Sequence, residues 1–236
     1  MPREIADRVQ RLLDAGPDRV LLGITGCPGA GKSTLASWVV RHFTQAGVPT
    51  AWVPMDGFHL SDRELERLGR RDRKGALDTF DGYGYLALLR RIRAELDNPV
   101  HVPEFDRVIE QPIAGGLPVL PGTRLVVTEG NYLLDDTEPW CRVADELDEV
   151  WFCELDDDVR RARLVARHVR FGKSPTAAAA WVDEVDERNS VRVHGLRGKA
   201  DVVWSMDGLA LEAADTASGA EAAAGAPGLD DASRRG

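Results

Sequence analysis

The chain has 236 residues, 43% of them hydrophobic, and its 39 acidic residues outnumber its 30 basic residues, for a formal net charge of -9. This length and composition can bury the core of one substantial domain. An acidic balance disfavours broad electrostatic attraction to nucleic acid or anionic membranes, so any anion that the protein binds must be held locally. We therefore expect neither a nucleic-acid partner nor a membrane partner.

The first predicted element is an amphipathic helix in "MPREIADRVQRLL". Ile5, Val9, Leu12 and Leu13 fall on one face of that helix. Because the segment is charged throughout, we expect it to be neither a signal peptide nor a membrane span. The three cysteines include no CxxC pair, which argues against a disulfide framework and a zinc site and indicates a reducing cytoplasmic location.

Short apolar runs rich in β-branched residues predict the strands of a parallel sheet. Continuous runs of this kind are typical of strands covered on both faces. They occupy residues 19–25, 50–55, 124–130, 148–155 and 200–206. Helical periodicity separates them at residues 31–47, 80–96 and 156–172. This alternation predicts an α/β domain of the doubly wound kind.

Two segments fall outside the alternation. A stretch containing Pro103, Pro112, Pro118 and Pro121 is predicted to be a loop-rich insertion. Residues 213–236 are rich in Ala and Gly and contain almost no large apolar side chain. Such a composition cannot bury enough surface to offset its ordering entropy, so it predicts a disordered tail.

Residues 26–34, "GCPGAGKST", match the phosphate-binding pattern G-x-x-x-x-G-K-[ST] between a predicted strand and a predicted helix. The glycines let successive backbone N–H groups point inward, and the helix adds its positive N-terminal end. Lys32 can reach the β- and γ-phosphates, and the Ser33 hydroxyl is a natural Mg²⁺ ligand. The predicted nucleotide-binding residues are Gly26, Cys27, Pro28, Gly29, Ala30, Gly31, Lys32, Ser33 and Thr34.

The stretch "VPMDGFHL" sets Asp56 at the carboxyl end of the second predicted strand, where open α/β sheets bind their ligands. Phosphoryl transfer to an alcohol needs positioning, charge neutralisation and a carboxylate that takes the proton. Asp56 is therefore the candidate base, the alternative being a carboxylate that caps the next helix or turns the chain before Gly57. His59 is either a substrate contact or a hydrogen-bonded loop histidine.

The strings "GCPGAGKST", "MDGFH", "RKGALDTFD" and "VVTEGNYLL" together resemble the P-loop kinases grouped as phosphoribulokinase, uridine kinase and bacterial type I pantothenate kinase. The resemblance covers about residues 19–206. It implies a P-loop NTPase-type three-layer α/β/α domain with a mainly parallel sheet and a helical lid. In this chain it implies one kinase domain over residues 1–212, a lid at about 160–192, and use of ATP and Mg²⁺ to phosphorylate a hydroxyl of a small metabolite.

The resemblance also implies roles for particular residues. The family's base falls on Asp56, its KG…(F/Y)D element falls on residues 74–81, and its acceptor loop resembles "PEFDRVIEQP". Glu129 ends a predicted strand, so it lies near the metal or the acceptor unless it is a buried capping carboxylate. The predicted acceptor-binding residues are Asp56, His59, Lys74, Phe80, Asp81, Phe105, Asp106, Glu129 and Asn131, and the predicted metal ligands are Ser33 and Glu129.

A stripe of cations marks the predicted lid helix: Arg160, Arg163, Arg167 and Arg170. Arg160 and Arg161 can pair with Asp156 and Asp157, which favours a solvated, self-neutralised face for these two. Arg163 and Arg167, with Lys32, are predicted catalytic cations that stabilise the transferring phosphoryl group. Lys173 stands where uridine kinases usually carry arginine and lacks the guanidinium fork.

The acceptor stays open at this stage between a nucleoside such as uridine, a pantothenate-like alcohol and a sugar. "KGALDTFD" is closer to pantothenate kinase, whereas "ADVVW" is closer to uridine kinase. A nucleotide-driven switch is weakened because "GKAD" at 198–201 lacks the Asn of a guanine-reading NKxD. A nucleotide-binding module without catalysis is disfavoured only by the presence of both Lys32 and Asp56. The expected partner is a small acceptor, and a homodimer is compatible with the sequence.

Overall fold

The computed structural model describes residues 3–209, so the predicted disordered tail at 213–236 lies outside the described residues. The strands of the central sheet are β1 Val20–Gly26, β2 Thr50–Pro54, β5 Leu125–Glu129, β6 Glu149–Glu154 and β7 Val202–Ser205. A separate hairpin is formed by β3 Val100–Asp106 and β4 Gln111–Val119. The helices are α1 Arg3–Ala15, α2 Lys32–Gln45, α3 Asp62–Leu68, α4 Gly82–Ala94, α5 Asp157–Arg170, α6 Pro175–Trp181 and α7 Glu187–His194.

The central sheet is parallel throughout, with strand order β2-β5-β1-β6-β7. Every residue of β1 and β5 is buried, as expected for inner strands that are covered by helices on both faces. The predicted α/β class and its parallel sheet are thus confirmed. None of the helices in residues 3–209 has the length and apolar composition that a membrane span requires.

The predicted helices form where the apolar spacing places them. Helix α1 buries Ile5, Val9 and Leu13 against the core, on the face that the sequence indicates. Helix α2 begins directly at the end of the phosphate-binding loop and ends before Gly47, whose φ of 82° lies in the left-handed region. The first of these helices supports the sheet from outside the site, and the second is part of the site.

The loop-rich insertion predicted from four prolines is wrong, because residues 100–119 form the antiparallel hairpin β3–β4. A two-stranded hairpin has free edges on both sides, so a proline costs it no sheet hydrogen bond when the missing N–H would face outward. Pro103 falls where the strand register shifts between Val102 and Glu104. The prolines therefore do not prevent the hairpin from forming.

Arg160 corrects the expectation of a solvated face on the lid helix. Its side chain is 2% exposed, and its guanidinium donates to Asp157 Oδ1 at 2.9 Å and to Glu187 Oε1 at 2.7 Å. It also donates to Ser190 Oγ at 2.8 Å and to the Pro28 carbonyl at 3.3 Å. The start of α5 is therefore joined to α7 and to the phosphate-binding loop through one buried cation.

Candidate active site

The parallel sheet brings three chain segments to one edge. Strand β5 lies between β1 and β2, and its last residue, Glu129, pairs in register with Ile24 of β1 and Pro54 of β2. The phosphate-binding loop follows β1, and Asp56 lies in a 3-10 turn, Met55–Phe58, that follows β2. The carboxylates of Asp56 and Glu129 and the phosphate-binding loop therefore share the carboxyl edge of the sheet.

The loop itself has the backbone shape of a phosphate cradle. Gly29 and Gly31 have φ of 81° and 96°, a region that residues with a side chain rarely adopt. Lys32 begins α2, is buried, and donates from Nζ to the Cys27 carbonyl at 3.1 Å. Gly26 packs so closely on β6 that a Cβ there would lie 2.5 Å from the Cys153 carbonyl oxygen. These contacts hold the loop open with its lysine folded back across it.

A cavity of about 570 Å³ opens in front of this edge. It brings together most of the residues predicted from the sequence. Those that line it are Pro28, Gly29, Lys32, Ser33, Asp56, His59, Lys74, Phe80, Phe105, Glu129, Asn131 and Arg167. The other predicted members of the phosphate-binding loop, Gly26, Cys27, Ala30, Gly31 and Thr34, are not among the residues that line the cavity. Cys27 and Ala30 are buried, and Thr34 is half-buried on α2.

The structure places three predicted site residues outside this cavity. Asp81 caps α4, where its Oδ1 accepts from the Gly84 N–H at 2.8 Å. Asp106 holds the hairpin turn by accepting from the N–H groups of Val108 and Ile109. Arg163 is exposed on α5, one turn before Arg167. Backbone capping explains the two carboxylates, and we leave all three residues out of the site described below.

Asp56 has a cationic partner in the cavity. Its Oδ2 accepts from Arg107 Nη2 at 3.1 Å, and both side chains are about one third exposed, at 32% and 35%. Burial by itself raises the pKa of Asp56, but the positive charges of Arg107, Arg167 and Lys32 outweigh it and lower the pKa below its usual value. Asp56 is therefore ionised at neutral pH.

Glu129 differs from Asp56 in its environment. Burial, and next the negative charge of Asp56, raise its pKa to about 7, against the attraction of Lys32. Its Oε2 accepts a hydrogen bond from Ser33 Oγ at 3.2 Å. Mg²⁺ prefers oxygen ligands of these two kinds beside nucleotide phosphates, so Ser33 and Glu129 fit a magnesium site. Bound there, Mg²⁺ would neutralise negative charge on the phosphates.

Aromatic rings form the wall next to Asp56. The His59 ring lies between Phe80 and Phe105, with ring centroids 3.9 Å and 5.0 Å away, and its backbone bridges to Phe80. Burial lowers the pKa of His59 to about 4, so its imidazole is neutral at pH 7. Its Nδ1 has no hydrogen-bond partner. The neutral ring therefore belongs to an aromatic cluster, edge-on to Phe80 and tilted to Phe105.

The pKa of His59 predicts how stability depends on pH. Above pH 6.5 the imidazole is neutral in both states, but below it the unfolded chain binds the proton first, because the folded-state pKa is about 4. As the pH drops from 6 to 4, the contribution of this residue should therefore lower the free energy of unfolding by about 1 kcal/mol for each pH unit. We expect His59→Phe, measured by urea unfolding at pH 7, 6 and 5, to have a shallower slope than wild type. An unchanged slope in His59→Phe would contradict this assignment.

The Lys74–Gly75 element is held on both sides. Lys74 Nζ donates to Asp62 Oδ1 at 2.7 Å and to the Glu110 carbonyl at 2.5 Å, and it lies 5.4 Å from the centroid of the Phe105 ring. The neighbouring Gly75 carbonyl accepts from Tyr132 Oη at 2.7 Å and from Asn189 Nδ2 at 3.3 Å. One element thus connects α3, the hairpin, the segment after β5 and the lid.

Gly57 sets the distance between the Asp56 turn and the hairpin. A methyl group at position 57 would lie 2.2 Å from the Pro103 carbonyl oxygen, so the hairpin would have to move. We expect Gly57→Ala to destabilise the fold by about 1–3 kcal/mol, as overpacking does. Urea unfolding should show this loss, and Gly198→Ala, which meets nothing within 4 Å, should show none of this steric penalty. An unchanged unfolding midpoint for Gly57→Ala would contradict this packing.

Several residues of the cavity were not found from the sequence. On the side of α5 and α6, His168 Nε2 lies 2.8 Å from Asp186 Oδ2. The Trp181 ring, also not predicted, has its centroid 4.3 Å from Nζ of Lys173, a residue that the sequence did indicate. Asp186 ends a π-helical turn, Val182–Asp186, a local form often found at functional sites. His168 could have been predicted as a site residue because it directly follows Arg167, whereas nothing local in the sequence indicates Asp186.

Comparison with known proteins agrees with this geometry. A sequence model of the phosphoribulokinase/uridine kinase family matches residues 21–175. A Schizosaccharomyces pombe protein named as a putative uridine kinase is 31% identical over 196 residues, which are 80% of this chain and 83% of that protein. The crystal structure of a putative fructose transport system kinase from Silicibacter sp. TM1040 is 36% identical, with a TM-score of 0.75 over 84% of this chain and 96% of the other.

A more distant structure shares the fold. YFH7 from Saccharomyces cerevisiae, described as a putative P-loop containing kinase with a circular permutation, has a TM-score of 0.73 at 19% identity, over 86% of this chain and 98% of that one. These similarities agree with the site geometry, namely a phosphate cradle beside two strand-end carboxylates. The chain therefore belongs to the phosphoribulokinase/uridine kinase family and is a P-loop kinase.

Proposed function

We propose that this kinase transfers the γ-phosphoryl group of ATP to a hydroxyl group of a small metabolite. One observation carries the proposal: the ionised carboxylate of Asp56 faces the same cavity as Lys32 and Ser33 of the phosphate-binding loop. A carboxylate in front of bound phosphates can take a proton from an alcohol, which a phosphate-binding site alone cannot do.

In the proposed reaction the acceptor hydroxyl donates its proton to a carboxylate oxygen of Asp56. The acceptor oxygen forms a bond to the γ-phosphorus, and the bond from that phosphorus to the β–γ bridging oxygen breaks. The electron pair leaves with ADP. The protein's work is otherwise positioning and charge stabilisation, since this reaction needs little covalent help.

The cations of the cavity are proposed to stabilise the transferring charge. Lys32 would bind the β- and γ-phosphates, and Arg167 reaches the cavity from the lid. Arg163 was predicted to share this role, but Arg167 lines the cavity and Arg163 does not, which makes Arg167 the better-placed of the two. Ser33 and Glu129 would hold Mg²⁺.

The acceptor is to be identified by a direct assay. ADP release from Mg-ATP should be measured with uridine, cytidine, pantothenate, fructose, ribose and glycerate, and a phosphorylated acceptor should be confirmed by mass spectrometry. The names of the Schizosaccharomyces and Silicibacter proteins are the reason that uridine and fructose belong in the panel. Lys32→Met serves as the control for a contaminating kinase. Nucleotide binding without any acceptor-dependent ADP release would favour a switch or regulatory module instead.

A further inference from the structure

We propose, on the basis of the kinase function above, that the acceptor carries a carboxylate or phosphate group and that Arg107 binds this group. In the structure described here Arg107 is paired with Asp56 at 3.1 Å. The acceptor's anionic group would take over the guanidinium, and its hydroxyl would then reach the freed carboxylate. Arg107 would thereby select a hydroxy acid or a phosphorylated sugar over a neutral alcohol.

The position of Arg107 is built into the fold. It follows β3, at a turn that Asp106 holds by accepting from two backbone N–H groups, at 2.7 and 3.1 Å. On the Asp56 side, the hairpin carbonyl of Pro103 packs against Gly57. On the far side, Lys74 donates to the Glu110 carbonyl. The hairpin therefore places this guanidinium beside the candidate base.

The pairing of Arg107 with Asp56 conflicts with the role of a free base. A carboxylate that already accepts from a guanidinium is a weaker proton acceptor, so catalysis benefits if Arg107 exchanges partners when the acceptor binds. The planar fork of arginine matches carboxylate and phosphate groups, and a neutral hydroxyl offers no comparable replacement for the charge of Asp56. Exchange of one anion for another leaves the guanidinium paired throughout.

The aromatic wall argues against a flat neutral acceptor at this end of the cavity. The His59 ring lies against both phenylalanine rings, edge-on to Phe80 at a centroid distance of 3.9 Å and tilted to Phe105 at 5.0 Å. A nucleobase would therefore have to displace His59 to be sandwiched there. Lys74 and Arg71 also line the cavity, but both are paired with Asp62, at 2.7 and 3.0 Å. Arg107 is the cation that pairs with Asp56 itself.

The test is a binding measurement that does not depend on turnover. Isothermal titration calorimetry would use the full chain saturated with Mg²⁺ and a non-hydrolysable ATP analogue, so that the γ-phosphate position is filled. Matched ligands are titrated: glycerate against glycerol, pantothenate against its alcohol, and ribose 5-phosphate against ribose. We expect an anionic member to bind about 10- to 100-fold more tightly than its neutral partner, as for loss of one charge-assisted hydrogen bond.

Variants assign this preference to Arg107. Arg107→Gln should abolish the preference for the anionic ligand, and Arg107→Lys should keep part of it. The control is Arg90→Gln, which removes an exposed cation paired with Glu146 outside this cavity. This variant should keep the whole preference. Thermal unfolding confirms that each variant is folded. The class of the tightest ligand, carboxylate or phosphate, then names the anionic group.

Three results with the matched ligands would overturn the inference. They are equal or tighter binding of the neutral partners, absence of binding by every anionic member, and a preference that survives in Arg107→Gln. A loss of affinity for the ATP analogue itself in Arg107→Gln would also overturn it, because Arg107 would then act on the nucleotide. Phosphorylation of a neutral acceptor that Arg107→Gln leaves unchanged would refute the inference while leaving the kinase function intact.

Discussion

Asp56→Asn is expected to lower acceptor phosphorylation by about 10²- to 10⁴-fold, the usual contribution of a general base. The amide oxygen can still accept from Arg107, so the hairpin contact survives while the proton acceptor is lost. Because Lys32 and the phosphate-binding loop are untouched, the KM for ATP should stay near its wild-type value. The measurement is kcat and KM for both substrates, with the acceptor that the panel identifies.

Asp72→Asn is the matched control for this prediction. Asp72 also lines the cavity, but its side chain is 80% exposed and lies 3.5 Å from Arg73. Loss of that carboxylate should change kcat by less than about tenfold, since exposed ion pairs contribute little. Wild-type turnover in Asp56→Asn, or an equal loss in both variants, would remove Asp56 from the role of base.

Arg160→Ala should be the most destabilising substitution in the lid helices, because it removes a buried cation. The side chain is 2% exposed and satisfies Glu187, Ser190 and the Pro28 carbonyl at once, so its removal leaves buried acceptors without a donor. We expect a loss of about 2–3 kcal/mol in the free energy of unfolding, since breaking a buried pair is costly but Glu187 keeps some access to water. Urea unfolding measures it.

The adjacent arginine gives a close comparison. Arg161 pairs with Asp183 and lies 3.4 Å from Glu187, but its side chain is 39% exposed. Arg161→Ala should therefore cost less than about 1 kcal/mol, as for other exposed ion pairs. If the two variants were equally stable, the contacts of Arg160 with the lid and the phosphate-binding loop would not contribute the stability that we expect from them.

The site shows a division between local and tertiary information. The phosphate-binding loop could be predicted because its glycines, lysine and serine are adjacent in the chain and its shape depends on local backbone freedom. Asp56 and Glu129 could be predicted from their position at strand ends, because parallel strands bring such ends to one edge. The roles of Asp81 and Asp106 could not, since a capping carboxylate and a ligand-binding carboxylate look alike in sequence.

The sequence alone was enough to predict the α/β class, the five strands of the central sheet, the helices α1, α2, α4 and α5, the phosphate cradle and the P-loop kinase family. Apolar periodicity and adjacent glycines encode these features locally. Only the tertiary structure decided that Arg160 is buried, that residues 100–119 form a hairpin, and that Arg107 reaches Asp56. Each of these depends on contacts between residues far apart in the chain. The cost of burying an arginine, for example, is offset only by the partners that the fold brings to it.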